Sequence, residues 1–199
     1  MRYTPQHKSN THRKIVNTAS ELFRAQGIGG VGVTDLMQQA GLTHGGFYAH
    51  FSSKEQLAAE ACRTAFEESA QRLKQVLEET EPGRKFATTV ERYLTTGHRD
   101  RSSKGCMIAA LASEVAHHPG PVKDAMTVGI KGWIEGIAKM VSQDGLNIDA
   151  YSAVATMVGA MVLARAAADP RLSERLLTHA RDSLLSSTRR MARHKRARS

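Results

Sequence analysis

Phe47 and Phe51 stand four apart, so a single helical turn can bury both rings and leave His44, Tyr48 and the face between them pointing outward. Gly45 and Gly46 weaken that turn by about 1 kcal/mol each relative to alanine, a loss usually tolerated where a backbone must approach another surface closely. A DNA groove is such a surface. Lys54 falls in the first turn of the helix that follows, where the dipole favours an acid. A cation there fits a phosphate docked on the exposed helix-terminal N–H groups; the alternative is an ordinary solvated lysine.

The elements that must position these residues can be read from periodicity and punctuation. Thr34 to Ala40 places Leu36, Met37 and Ala40 on one side of a short helix, and Gly41 supplies a left-handed stop. Thr43 is the expected N-cap of the next helix. Ser52 is the expected cap of a long helix over 53–79, with Glu55 closing a capping box and Leu57 opening the apolar face. Before the motif, Ile15, Ala19, Leu22 and Phe23 give an amphipathic helix over 10–26. Further helices are expected over 84–97, 105–116, 121–142, 149–168 and 172–191, the last with Leu176, Ala180 and Leu184 along its apolar edge. The pattern is all-α, with about nine helices. It divides into a helix-turn-helix head over 1–52, a helical body over 53–191 and a basic tail over 192–199, expected to be disordered.

The string Leu42, Thr43, Gly45, Phe47, Tyr48, His50, Phe51, Ser53, Lys54, Glu55, Leu57 resembles the helix-turn-helix signature of the tetracycline-repressor (TetR) family of bacterial transcription regulators. The resemblance implies that Tyr48, His50 and Lys54 touch DNA phosphates while Thr43, His44 and Gly45 face base edges; with Thr34 these form the candidate DNA-binding set. The motif departs from the family pattern at Gly32 and Thr34, where relatives commonly carry a capping threonine and then an arginine. Base preference therefore cannot be copied from relatives. The implied function is a homodimeric repressor released from a palindromic operator of double-stranded DNA by a small apolar ligand or by thiol modification; the rival readings are a helical-body enzyme acting on a small molecule and a non-specific architectural DNA binder led by the basic tail.

Other chemistry is absent from the sequence. No G-x-S-x-G, H-E-x-x-H, Walker loop or paired-carboxylate spacing occurs, so an enzyme is disfavoured and no cofactor or metal is expected. Gly27, Gly29 and Gly32 spell G-x-G-x-x-G, but after a helix and outside any βαβ unit, which excludes a dinucleotide fingerprint. His117 and His118 are adjacent and point apart on a helix, so they suit a solvated helix end better than a metal. The formal charge is +9, but six basic residues lie in the last eleven positions; without them 22 basic residues face 19 acidic ones. The helix-turn-helix carries the DNA argument, and the tail is either solvated or an auxiliary backbone contact. No signal peptide or spanning segment is expected, which suits the cytoplasm.

The body carries the remaining candidates. Phe66, Tyr93, Cys106, Met107, Met126, Trp133, Met157 and Met161 are adaptable side chains that could line a pocket for a small apolar ligand, or simply fill the core. Cys106 follows Lys104-Gly105 at a helix start, where positive potential favours a reactive thiolate and an electrophilic ligand; the plain alternative is an inert thiol. The last two helices carry more apolar surface than one chain needs to hide, which predicts a second copy packed against them in a four-helix bundle.

Overall fold

The computed structural model describes residues 5–118 and 120–196, with side chains described over 6–118 and 120–186. Among these residues every regular element is helical: α1 (Pro5–Gln26), α2 (Val33–Gln39), α3 (Lys54–Glu79), α4 (Lys85–Tyr93), α5 (Thr96–Asp100), α6 (Met107–Val115), α7 (Pro121–Gln143), α8 (Ala150–Ala166) and α9 (Pro170–Arg196). Two short 3-10 segments, His44–Ala49 and Ser102–Lys104, complete the list. No helix among the described residues is long and apolar enough to cross a membrane.

The helices gather into two compact units. The first holds the described chain up to Glu68 together with Ser102–Gly129; the second holds Ser69–Arg101 and the chain from Ile130 onward. In the first unit, Ile15, Val16, Ala19 and Phe23 of α1 are buried with Leu36, Met37 and Ala40, as the helical spacing predicts. In the second, Phe86, Val90 and Leu94 are buried, as are Trp133, Ile137 and Met140 and the α8 residues Met157 and Met161. The Trp133 indole N–H donates to the Ser69 hydroxyl at 2.7 Å, which satisfies the ring's one polar atom inside the core. Asp144 closes the entry to α4 by accepting from the backbone of Gly83 at 2.9 Å and Phe86 at 2.8 Å.

Several boundaries differ from the sequence expectation, each for a local reason. The helix expected over 84–97 breaks at Leu94 (φ −87°, ψ 65°), and Thr95 restarts the chain by accepting from the His98 backbone at 3.1 Å. Pro170 opens α9 instead of only ending the helix before it, since a proline at the first helical position loses no hydrogen bond. The buried edge of α9 runs through Ser173, Leu177, Leu184 and Leu185, with Leu176 half-buried beside it. The helix continues to Arg196, through residues expected as a loose tail; the tail's side chains lie outside the described residues.

Candidate nucleic-acid interface

Helix α2 begins at an extended Gly32 with no side-chain cap and stops where Gly41 turns left-handed, φ 67°. There the Gly41 N–H reaches Gln38 O at 2.9 Å and the Leu42 N–H reaches Met37 O at 2.8 Å, the paired bonds that terminate a helix at glycine. Thr43 occupies the N-cap position of the next segment, but its side chain makes no capping bond; its carbonyl accepts from Gly46 instead. The following element is a six-residue 3-10 segment where an ordinary short helix was expected, as suits a short stretch with two glycines.

Two buried rings hold that turn from behind. Phe47 and Phe51 are 1% and 2% exposed, with centroids 5.6 Å apart, and the His12 ring of α1 stacks on Phe51 at 4.5 Å. His12 in turn bonds the carboxylate of Glu60 on α3, so three elements converge on one ring. The opposite side is open. Thr34, Thr43, His44 and Gly45 are exposed, Tyr48 is 66% exposed, and His50 and Lys54 are half-buried at the rim.

The Thr34 hydroxyl lies 3.1 Å from His44 Nδ1, which joins the first helix of the motif to the turn after it and orients the imidazole. A Cβ built on Gly45 would meet nothing within 4 Å. Buried Nδ1 of His50 has no hydrogen-bond partner, and burial, followed by the His12 and Lys8 charges, lowers its pKa from the ordinary 6.5. A nearby anion would oppose that lowering. The α3 cap sits one residue later than expected: the Ser53 hydroxyl accepts from the Gln56 backbone at 3.1 Å, while the Gln56 side chain accepts from the Ser52 backbone at 2.9 Å. Lys54 is therefore the first helical residue, at the positive end of the dipole.

The chain matches the model of bacterial regulatory proteins of the tetR family over residues 15–61 and that of the tetracyclin repressor-like C-terminal domain over 82–180. It belongs to the TetR family of transcriptional regulators. Among TetR relatives it is 26% identical to the HTH-type transcriptional regulator LmrA of Bacillus subtilis over 155 residues, 77% of this chain and 82% of that one. A TetR regulator from Chloroflexus aurantiacus superposes with a TM-score of 0.74 at 25% identity, covering 91% and 95% of the two chains. Escherichia coli NemR in its reduced form superposes with a TM-score of 0.73 at 21% identity, covering 86% of this chain and 95% of that one. The all-helical TetR fold and the N-terminal helix-turn-helix are thus as the sequence implied, and no strand occurs among the described residues.

The eight ligand-pocket candidates divide between the units. Phe66, Cys106, Met107 and Met126 belong to the first, and Tyr93, Trp133, Met157 and Met161 to the second; all but Phe66 and Cys106 are buried. A cavity of about 290 Å³ in the second unit is lined by Arg99, Asp100, Arg165 and Ser173 among others, and by none of the eight. Cys106 sits half-buried at the N-cap position of α6. Cys62 is fully buried, which pushes its thiol up to about 11. No group of three or more metal-ligating side chains occurs among the described residues. Sequence reasoning missed His12, Glu60 and Glu114. The last carried one visible signal: it is the lone acid in the apolar run of α6.

Proposed function

We propose that this TetR regulator is a homodimeric repressor that holds a palindromic operator, with Thr34, Thr43, His44 and Gly45 toward base edges and Tyr48, His50 and Lys54 against phosphates. The observation that carries the reading is the two-faced 3-10 turn, sealed on Phe47 and Phe51 behind and open at His44, Gly45 and Tyr48 in front. Exposed side chains at that front suit an occupant with donors, acceptors and phosphates. Dimerisation is supported by exposed apolar side chains on α8 and α9: Tyr151 at 69%, Leu163 at 55%, Leu172 at 49% and Val162 at 42%. Gly159, on the same helix, has open space where its Cβ would be, which lets a partner backbone come close. Two copies about a two-fold axis place two reading turns on successive half-sites.

Release follows from a population shift. A small apolar ligand, or an electrophile adding to Cys106, weakens DNA binding by its preference for a conformer whose reading turns are wrongly spaced. Cys106 is favoured over Cys62 because it is only half-buried and sits at a helix start, whereas Cys62 is sealed and its thiol held protonated. The test is selection of duplexes from random-sequence DNA by the purified full chain, with the mass of the complex measured in parallel. A two-fold symmetric consensus bound by a dimer is expected; a monomer indifferent to base order would refute the proposal.

A further inference from the structure

The corner between α1 and α2 is built around a side chain from a distant stretch of the same unit. Glu114, in the last turn of α6, offers its carboxylate to two consecutive backbone amides: Ile28 donates to Oε2 at 2.9 Å and Gly29 to Oε1 at 2.6 Å. Consecutive N–H groups converging on one anion form a nest, and charge-assisted bonds of this kind are roughly twice as strong as neutral ones. The glycines are fitted to it. Gly27 leaves α1 with φ 79°, and a Cβ there would lie 2.8 Å from Oε2; one on Gly29 would lie 3.3 Å from Oε1. The G-x-G-x-x-G run thus begins with two residues that clear the way for a carboxylate.

A carboxylate in the last turn of a helix opposes the dipole, so the placement does not serve α6 itself. The His118 imidazole, 3.9 Å from Oε1, offsets this only when protonated. What the carboxylate does serve is the corner that leads into the motif. From Gly29 the chain reaches α2 through buried Val31, and Thr34 in the first turn of α2 bonds His44 of the reading turn at 3.1 Å.

We propose that Glu114 is a positioning residue for DNA reading: its carboxylate ties the α1–α2 corner to α6, so that the placement of α6 sets Thr34 and, through it, His44. This rests on the DNA-binding reading above. The donors are backbone and cannot rotate away, while the acceptor rides on α6. A displacement of α6 larger than the Glu114 side chain can absorb therefore carries the corner with it or breaks these bonds. Cys106 stands at the opposite end of that helix, so a change there has a mechanical route to the reading turn.

The test uses the full chain as wild type, Glu114→Ala and Glu114→Gln. Amide exchange is followed at Ile28 and Gly29, and affinity is measured for a duplex that the wild type selects and for an unrelated duplex. Glu114→Ala is expected to speed exchange at both amides by at least about tenfold and to weaken the selected duplex by about tenfold. The unrelated duplex should change by less than about twofold, because no phosphate contact is lost. Glu114→Gln, which keeps one acceptor, should fall between. If the alanine variant melts lower yet keeps the wild-type ratio of selected to unrelated affinity, Glu114 is a fold element only and the proposal is overturned. Unchanged exchange at Ile28 and Gly29 overturns it as well. If the wild type selects no sequence, the positioning role falls with the DNA reading, and the exchange arm still tells that failure from a clamp that never forms.

Discussion

Replacing Gly45 by alanine pulls the fold and the DNA contact in opposite directions, which makes it a sharp probe of the reading turn. In the free chain the new methyl group meets nothing within 4 Å, and Gly45 is not among the glycines with positive φ. The substitution therefore adds no clash and no strain, while it removes freedom from the unfolded chain; a gain of about 0.4–1 kcal/mol in stability is expected. For a chain of this size that is a rise of roughly 1–4 °C in melting temperature. If Gly45 faces the base edges as proposed, the same methyl group fills the gap through which the backbone would approach them. Overpacking of a fitted surface costs about 1–3 kcal/mol, or roughly 5- to 150-fold in affinity per reading turn. No charge is lost, so the slope of log affinity against log salt should not move. Thermal unfolding gives the first quantity and fluorescence anisotropy on a selected duplex over a salt series gives the second. A variant that is more stable and binds within about twofold of wild type would refute the placement of Gly45 against DNA. One that is less stable would refute the open space assigned to it.

Lys54→Ala should weaken binding to all duplexes alike and lower the salt slope by about 1 per subunit, whereas His44→Ala should change which bases are preferred; a uniform effect from both would mean base readout lies elsewhere. Cys106 should be alkylated by a maleimide at least about tenfold faster than Cys62 in the native protein, because Cys62 is sealed and its pKa raised to about 11; equal slow rates would end the thiol proposal. Stability should fall as pH drops below 6.5, since burial lowers the pKa of His98 and of His50 from that value and the unfolded chain then binds more protons than the folded one. For His98 the Arg165, Arg72 and Arg101 charges add to burial while its bond to the Tyr93 carbonyl opposes it, so His98→Gln should flatten the acid limb of a melting-temperature profile. DNA affinity should move the other way: a phosphate at His50 raises its pKa, so binding takes up protons and strengthens on acidification, a trend that His50→Gln should abolish.

Much of this was legible in the sequence because local patterns and tertiary demands agreed. The apolar spacing of Leu36, Met37 and Ala40, the stop at Gly41 and the four-residue step from Phe47 to Phe51 each have one cheap structural solution, and the fold adopts it. Where two solutions were nearly equal the sequence could not choose. Ser52 and Ser53 both precede an acceptor-bearing residue by three positions, Glu55 and Gln56, and Ser53 caps the helix while Ser52 donates to the Gln56 side chain. Leu94 breaks a helix with no proline or glycine at the break, because Thr95 is a better cap than a helical residue. Contacts such as Glu114 with Ile28 span 86 positions and leave no periodic trace. The pocket candidates were illegible for a different reason: a buried methionine such as Met157 or Met161 looks the same in sequence whether it fills a core or faces a ligand.

A six-residue 3-10 turn containing two glycines has almost no stability of its own, since nucleating it fixes many dihedrals for few hydrogen bonds. Its shape must be imposed from outside, and the constraints can be named. Gly41 sets the angle of entry, Phe47 and Phe51 pin the back, His12 stacks on Phe51 while tied to Glu60, and Thr34 steadies His44. Apart from Thr34, none of these supporting groups stands in the proposed DNA-facing set. Geometry at a base edge discriminates at the level of a fraction of an ångström, so on the proposed reading the accuracy of base recognition rests largely on groups behind the DNA-facing set. It follows that substitutions at His12 or Phe51 should blur base preference before they unfold the head, whereas a change at the exposed His44 should redirect preference and move the melting temperature little.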